Sequence, residues 1–214
     1  MDALPQAMLF LGIIPALILI YISLKGYEEI YKEKTIFITF IAGIAAGVIS
    51  IIMEGITQRD AGLIGVILLF PLFEQMFKTV ILNLPRFQEK RSTTIYGLSL
   101  GLGFGSVFTP YYIIVSSSRL NSSVETLSFA FFISVGLILL HGATGTLIGY
   151  GVYRSELFKY FILSIVLYIP APILSLFPYT PLIIVPYGLV IYWYVTTKIL
   201  PKIKSNRKRS PNDI

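Results

Sequence analysis

The sequence contains no cysteine, one histidine and one tryptophan among 214 residues. The first absence excludes disulfides, thiolate nucleophiles and cysteine-based metal sites, and it leaves the redox compartment unspecified. Charge is scarce as well: 13% of residues are Asp, Glu, Lys or Arg against 55% hydrophobic, and mean hydropathy is +0.79. A soluble domain carries about twice that share of charge. The aspartates, Asp2, Asp60 and Asp213, all fall outside the apolar runs. An intramembrane aspartyl protease needs two carboxylates sharing one site, so that chemistry has no residues here. No polar stretch is long enough for a soluble domain.

What is present is a series of apolar runs: Leu4 to Leu24, Thr35 to Ile56, Ala61 to Leu84, Thr93 to Val115, Thr126 to Tyr150, Phe158 to Phe177 and Pro181 to Leu200. Each has about the 20 residues needed to cross a ~30 Å hydrocarbon core as helix. The expected fold is all-α, a single transmembrane domain of seven helices over residues 1–200, followed by a basic tail at 201–214. The first run has Asp2 and no Lys or Arg before it, the wrong flank for a signal peptide, so it is read as a retained helix. Pro170, Pro172, Pro178, Pro181 and Pro186 break up the last two runs and are expected to kink them.

The net charge of +6 does not point to nucleic acid, because its distribution follows the membrane. Fourteen Lys and Arg lie in alternate connectors and the tail, whereas Arg59 and Arg119 alone lie on the opposite side. That asymmetry places the N-terminus outside and the C-terminus in the cytoplasm of a multi-pass protein of the cell membrane. The tail, Lys198 to Arg209, is then an anchor to anionic headgroups of the membrane lipids.

The fourth run carries glycine at every fourth position, at Gly97, Gly101 and Gly105. Residues four apart share a helix face, so these three form a bare groove. Glycine costs a helix in water roughly 1 kcal/mol relative to alanine, but in lipid it permits the close backbone approach that drives association. The groove is expected to dock a partner helix, with the alternative that it packs within the subunit. On the docking reading, Gly101→Leu abolishes association and leaves the fold intact.

Ionisable groups inside the runs are Glu54, Glu74, Lys78 and His141. Each costs at least about 2–3 kcal/mol at mid-bilayer if it faces lipid, so all are expected to face the interior. Glu74 and Lys78 have the i, i+4 spacing of an intrahelical ion pair. His141 is read as an interhelical hydrogen-bond bridge, with metal ligation or proton transfer as alternatives. Serine chemistry has Ser99 and Ser106 available but no nucleophile elbow around them. For metal chemistry only Glu74 and His141 remain as ligands, and zinc needs about three from the protein. No metal site, no catalytic residue and no cofactor is therefore expected. A small transporter also stays open, although no internal repeat is visible.

In part the layout resembles the PrsW and CAAX-processing intramembrane protease families. Glu74-Gln75-Met76-Phe77-Lys78 keeps one of the two acids of their first motif. Phe104 is followed four residues on by Phe108, where those families place glutamate. Read along nearly its whole length, the chain is similar to the anterior-pharynx-defective family, the seven-span scaffold subunit of γ-secretase. Phe73-Glu74-Gln75-Met76-Phe77-Lys78 resembles that family's Leu-Gln-Glu-x-Phe-Arg, with acid and amide exchanged. Gly101-Leu102-Gly103-Phe104-Gly105 resembles its Gly-Leu-Ser-Phe-Gly. Here the ladder extends one turn earlier, to Gly97, and Thr109 stands at the family's third glycine. Phe129 to His141 resembles its Ser-Ala-Phe followed by Ile-Leu-Leu-His. The family's second histidine falls near Leu167 or Tyr168 and is absent here; Tyr168 can replace its hydrogen bond but not its charge. The resemblance implies a noncatalytic scaffold for a presenilin-type intramembrane aspartyl protease, with Glu74, Lys78 and His141 tying helices together. A degenerate metalloprotease using Glu74 and His141 is the alternative.

Overall fold

The apolar runs become helix because a backbone in hydrocarbon has no water to bond and must satisfy its N–H and C=O groups internally. The computed structural model describes residues 4–117, 123–175, 177 and 180–205, and among these no strand occurs. In order they form α1 (Leu4–Leu24), α2 (Glu33–Ile64), a π turn (Gly65–Leu69), α3 (Phe70–Leu82), α4 (Ser92–Ser106), α5 (Phe108–Ser117), α6 (Ser123–Tyr153), α7 (Leu157–Tyr168), α8 (Pro170–Leu174), α9 (Thr180–Tyr194), a second π turn (Val195–Ile199) and α10 (Lys202–Ser205). The loop with Arg119 and the tail beyond 205 lie outside the described residues.

Six stretches are long and apolar enough to cross a membrane: Glu33–Thr57, Gly62–Leu82, Ser92–Val115, Val124–Tyr153, Leu157–Leu174 and Thr180–Lys204. They match six of the runs read from the sequence and make a multi-pass membrane protein. α1 contributes a shorter apolar stretch, Phe10–Leu24. Glycine and proline set the breaks. Gly62, at φ 58°, separates the second and third runs with a conformation that side chains with a Cβ resist. Pro110 cannot donate to the Ser106 carbonyl, and helix is interrupted at Val107 between them. Pro170 likewise opens α8 after the break that ends α7, while Pro186 is accommodated inside α9.

α4 is the hub. Every residue from Thr93 to Ser106 is buried, as expected of a helix that is apolar on all sides. Its glycines explain how neighbours come so close. A Cβ at Gly97 would overlap the Gly145 carbonyl, one at Gly101 the His141 carbonyl, and one at Gly105 the Ile138 Cα, all on α6. α6 reciprocates: Gly145 faces Gly97 and Gly101, and Gly149 faces Thr93. On another side Gly103 meets the Phe40 backbone, while Gly43 and Gly47 of α2 meet the backbones of Leu100 and Phe104. Gly12 of α1 sits on the Ser106 carbonyl.

The expectation of a free docking face at Gly97, Gly101 and Gly105 is therefore corrected: the chain's own α6 fills that groove. Glycine spacing specifies a close approach but not who makes it. Gly145 and Gly149 on α6, also four residues apart, were the complementary signal. The expectation that Gly101→Leu spares the fold falls with it, since the added side chain has only backbone to displace.

Two alanine substitutions should have opposite signs. Gly55 has nothing near its missing Cβ, so Gly55→Ala is expected to stabilise by about 0.5–1 kcal/mol through backbone entropy. Gly101→Ala gains the same term but forces α4 and α6 apart, and overpacking costs typically 1–3 kcal/mol. Unfolding midpoints of the detergent-purified variants check this; a stabilised Gly101→Ala contradicts the packing described.

Candidate functional site

The intramembrane polar residues named from the sequence converge on one network between α3, α6 and α7. Lys78 and Glu74 come from α3, which Pro71 and the preceding π turn introduce. His141 and Thr144 lie one turn apart on α6, and Tyr168 ends α7. Lys78, His141 and Thr144 are wholly buried, and Glu74 is 2% exposed.

The Lys78 ammonium has three protons and three acceptors: Gln75 Oε1 at 3.0 Å, His141 Nδ1 at 2.8 Å and Thr144 Oγ1 at 2.9 Å. An ammonium can only donate, which assigns Nδ1 of His141 as acceptor and puts the ring proton on Nε2. Nε2 then donates to the Tyr168 hydroxyl at 3.0 Å, and that hydroxyl donates onward to Glu74 Oε1 at 3.4 Å. Charge is thus balanced from Lys78 to Glu74 through a neutral imidazole and a phenol. Phe108 stacks on the imidazole, with centroids 5.1 Å apart at 15°. The Phe104 ring packs against it at 4.7 Å and takes the Lys78 ammonium 4.9 Å from its centroid, a cation–π contact.

Two expectations are refined. Glu74 and Lys78 do not form the intrahelical ion pair their spacing suggested. The lysine turns to α6, where three neutral acceptors surround it, and the carboxylate turns to Tyr168. Direct ion pairs do occur elsewhere, those of Glu156 with Arg154 and Lys159. His141 does bridge helices, from Lys78 on α3 to the Tyr168 hydroxyl on α7. The serine hydroxyls are committed elsewhere: Ser99 donates to the Ile36 carbonyl and Ser106 to that of Gly103, each at 2.7 Å.

Gln75 and Thr144 were missed as members of the site, and Glu54, named from the sequence as an interior acid, was given no partner there. Glu54, on α2, accepts from Ser50 Oγ at 2.9 Å, and its carboxyl comes within hydrogen-bonding reach of the Glu74 carboxyl. Its i, i+4 spacing from Ser50 was visible, but its pairing with α3 was not. Glu54 and Glu74 line a crevice of about 130 Å³ together with Phe108, Tyr111, Tyr112 and Tyr168. Among the described residues no three His, Asp or Glu side chains converge as metal ligands. The phenolic oxygen of Tyr168 sits between His141 and Glu74.

Removing one member of the relay should be costly and non-additive. Lys78→Met and His141→Leu are each expected to destabilise by about 1–3 kcal/mol, because a buried partner is left unsatisfied. The double variant is expected to cost less than the sum, by about 1 kcal/mol. Reversible unfolding in mixed micelles measures the coupling; strict additivity contradicts a direct Lys78–His141 bond.

Set against known proteins, the chain matches no family model, no curated protein and no solved structure.

Proposed function

We propose that this chain is a noncatalytic scaffold subunit that assembles with and stabilises a presenilin-type intramembrane aspartyl protease. The observation that carries the proposal is the state of the buried polar groups. All three protons of Lys78 and both ring nitrogens of His141 are engaged with neighbouring helices. Tyr168 stands between Glu74 and His141, where a metal or an activated water would sit in a hydrolase. Side chains used in this way brace a bundle rather than cleave a bond. The family resemblance supplies the kind of partner, and the lack of an intramembrane aspartate pair in this chain leaves the cutting to that partner.

In this reading α1 is the seventh span, the N-terminus faces outward, and the basic tail lies in the cytoplasm against the anionic leaflet of the cell membrane. With the glycine face of α4 occupied by α6, the partner meets the outer, lipid-facing surface. The braced core keeps that surface in register.

The alternative, a glutamate- and histidine-dependent intramembrane hydrolase, draws on one feature: Glu74 Oε2 has no hydrogen-bond donor and borders the crevice.

Mild-detergent extraction from the native membrane, followed by identification of what co-purifies, separates the two. An intramembrane aspartyl protease is expected in the eluate, with reduced recovery when the bracing His141→Leu variant replaces the native chain. If the isolated chain instead cleaves membrane peptides, and Glu74→Gln stops it, the scaffold reading is overturned.

A further inference from the structure

One hollow at the edge of the bundle is lined by charge of a single sign. It lies between the start of α2, the connector 83–91 and the start of α4, encloses about 390 Å³, and collects Lys32, Arg86 and Lys90. Among the described residues no Asp or Glu lines it, and none of the three cations forms an ion pair. Glu33, next to Lys32, borders a separate groove beside Lys25. Membrane insertion asks only that Lys and Arg gather on one side of the bilayer. It does not require three of them to share one hollow without an acid: another hollow mixes Glu28 and Glu29 with Arg91 and Lys204.

Two of the cations are positioned by the connector itself. Phe87, 2% exposed, anchors it, and the Arg86 guanidinium lies 4.6 Å from the centroid of that ring. Lys90 Nζ donates one proton to the Arg86 carbonyl at 2.6 Å and keeps two. Phe87 in turn packs on Tyr96 of α4, with centroids 5.7 Å apart. Tyr96 is 6% exposed, and its hydroxyl accepts the Lys32 backbone N–H at 3.1 Å. The phenolic proton is left without an acceptor among the described residues, at the wall of the hollow. A buried donor lacking an acceptor, beside three uncompensated cations, is suited to an oxyanion that can take several charge-assisted bonds at once. α2 and α4 both start here, and their first turns add partial positive charge.

Depth indicates which oxyanion. The spans Glu33–Thr57 and Ser92–Val115 begin at this hollow, and Gly62–Leu82 ends just before the connector that carries Arg86. The hollow therefore sits at the hydrocarbon boundary, where headgroups lie. Ile38, 40% exposed, continues its wall into the span and offers an apolar path to an acyl chain. Basic pockets beside spans suit anionic headgroups, whereas a headgroup bringing its own ammonium would set it against three cations. We propose that this hollow binds the phosphate of an anionic phospholipid, with Lys32, Arg86 and Lys90 supplying the charge and the Tyr96 hydroxyl a directed hydrogen bond. The site stands independently of the scaffold role, since neither partner association nor catalysis enters the reasoning.

The test uses the full chain purified in a neutral maltoside detergent. Unfolding midpoints are measured against rising mole fractions of phosphatidylglycerol, with phosphatidylcholine as reference, and separately against sodium phosphate, with sodium chloride at equal ionic strength. A saturable rise with phosphatidylglycerol over phosphatidylcholine, weakened about tenfold or more in apparent affinity by Arg86→Gln and by Lys90→Gln but not by Lys34→Gln, supports the site. Lys34 carries the same charge at the same end of α2 and does not line the hollow. Weakening by Tyr96→Phe, which removes the donor and no charge, supports it further. Should Arg86→Gln fail to fold, Lys90→Gln set against Lys34→Gln decides. Equal weakening by Lys34→Gln overturns the proposal in favour of diffuse attraction to a basic face. Equal effects of the two lipids overturn it as well, and so does a saturable rise with inorganic phosphate to which lipid adds nothing.

Discussion

An ammonium group enclosed by hydrocarbon must find every acceptor within the protein, and the core of this molecule is arranged around that requirement. Lys78 is wholly buried, and no water is at hand to relieve a missing bond. Its acceptors come from two helices, Gln75 on its own turn and His141 with Thr144 across the gap. A shift of α6 by one residue would break two of these bonds at once. The charge therefore penalises every register of α3 on α6 except one, as buried polar groups do when fully paired.

That register is held by packing as well as by charge. Where lipid surrounds a bundle, apolar side chains gain little by leaving it for one another, so helix association relies on close packing and hydrogen bonds. α4 meets α6 through Gly97, Gly101 and Gly105, and meets α2 through Gly103 and the opposing Gly43 and Gly47. Gly105 sets its backbone against Ile138, one turn before His141. In this way the glycine seam delivers the imidazole to the height at which Lys78 and Tyr168 reach its two nitrogens. Phe104 and Phe108, following the same seam, close the rings around it.

The relay and the crevice belong to the same device. Tyr168 donates its proton to Glu74 Oε1, and the same carboxyl meets that of Glu54 from α2. Toward α6 the ammonium protons of Lys78 and both ring nitrogens of His141 are engaged; toward α2 the Glu74 carboxyl meets that of Glu54.

Much of this was legible in the chain of residues. Run lengths and apolar content fixed the membrane-crossing helices to within a few residues, because a span is dictated by bilayer thickness and by the obligation to bond its own backbone. Prolines in the last two runs announced interruption there, since their dihedral limits are local properties, whereas the break at Gly62 was not read from the sequence. Glu74, Lys78 and His141 were recognisable as interior residues from the cost of exposing them to lipid. Tertiary structure alone decided their pairing. Spacing put Glu74 beside Lys78, yet the lysine found better acceptors on α6, and Glu54 met Glu74 from a helix twenty residues away in sequence. It also decided that the notched face of α4 receives α6. A glycine stripe states how near a neighbour can come, but the neighbour's identity depends on which complementary surface the whole fold brings opposite.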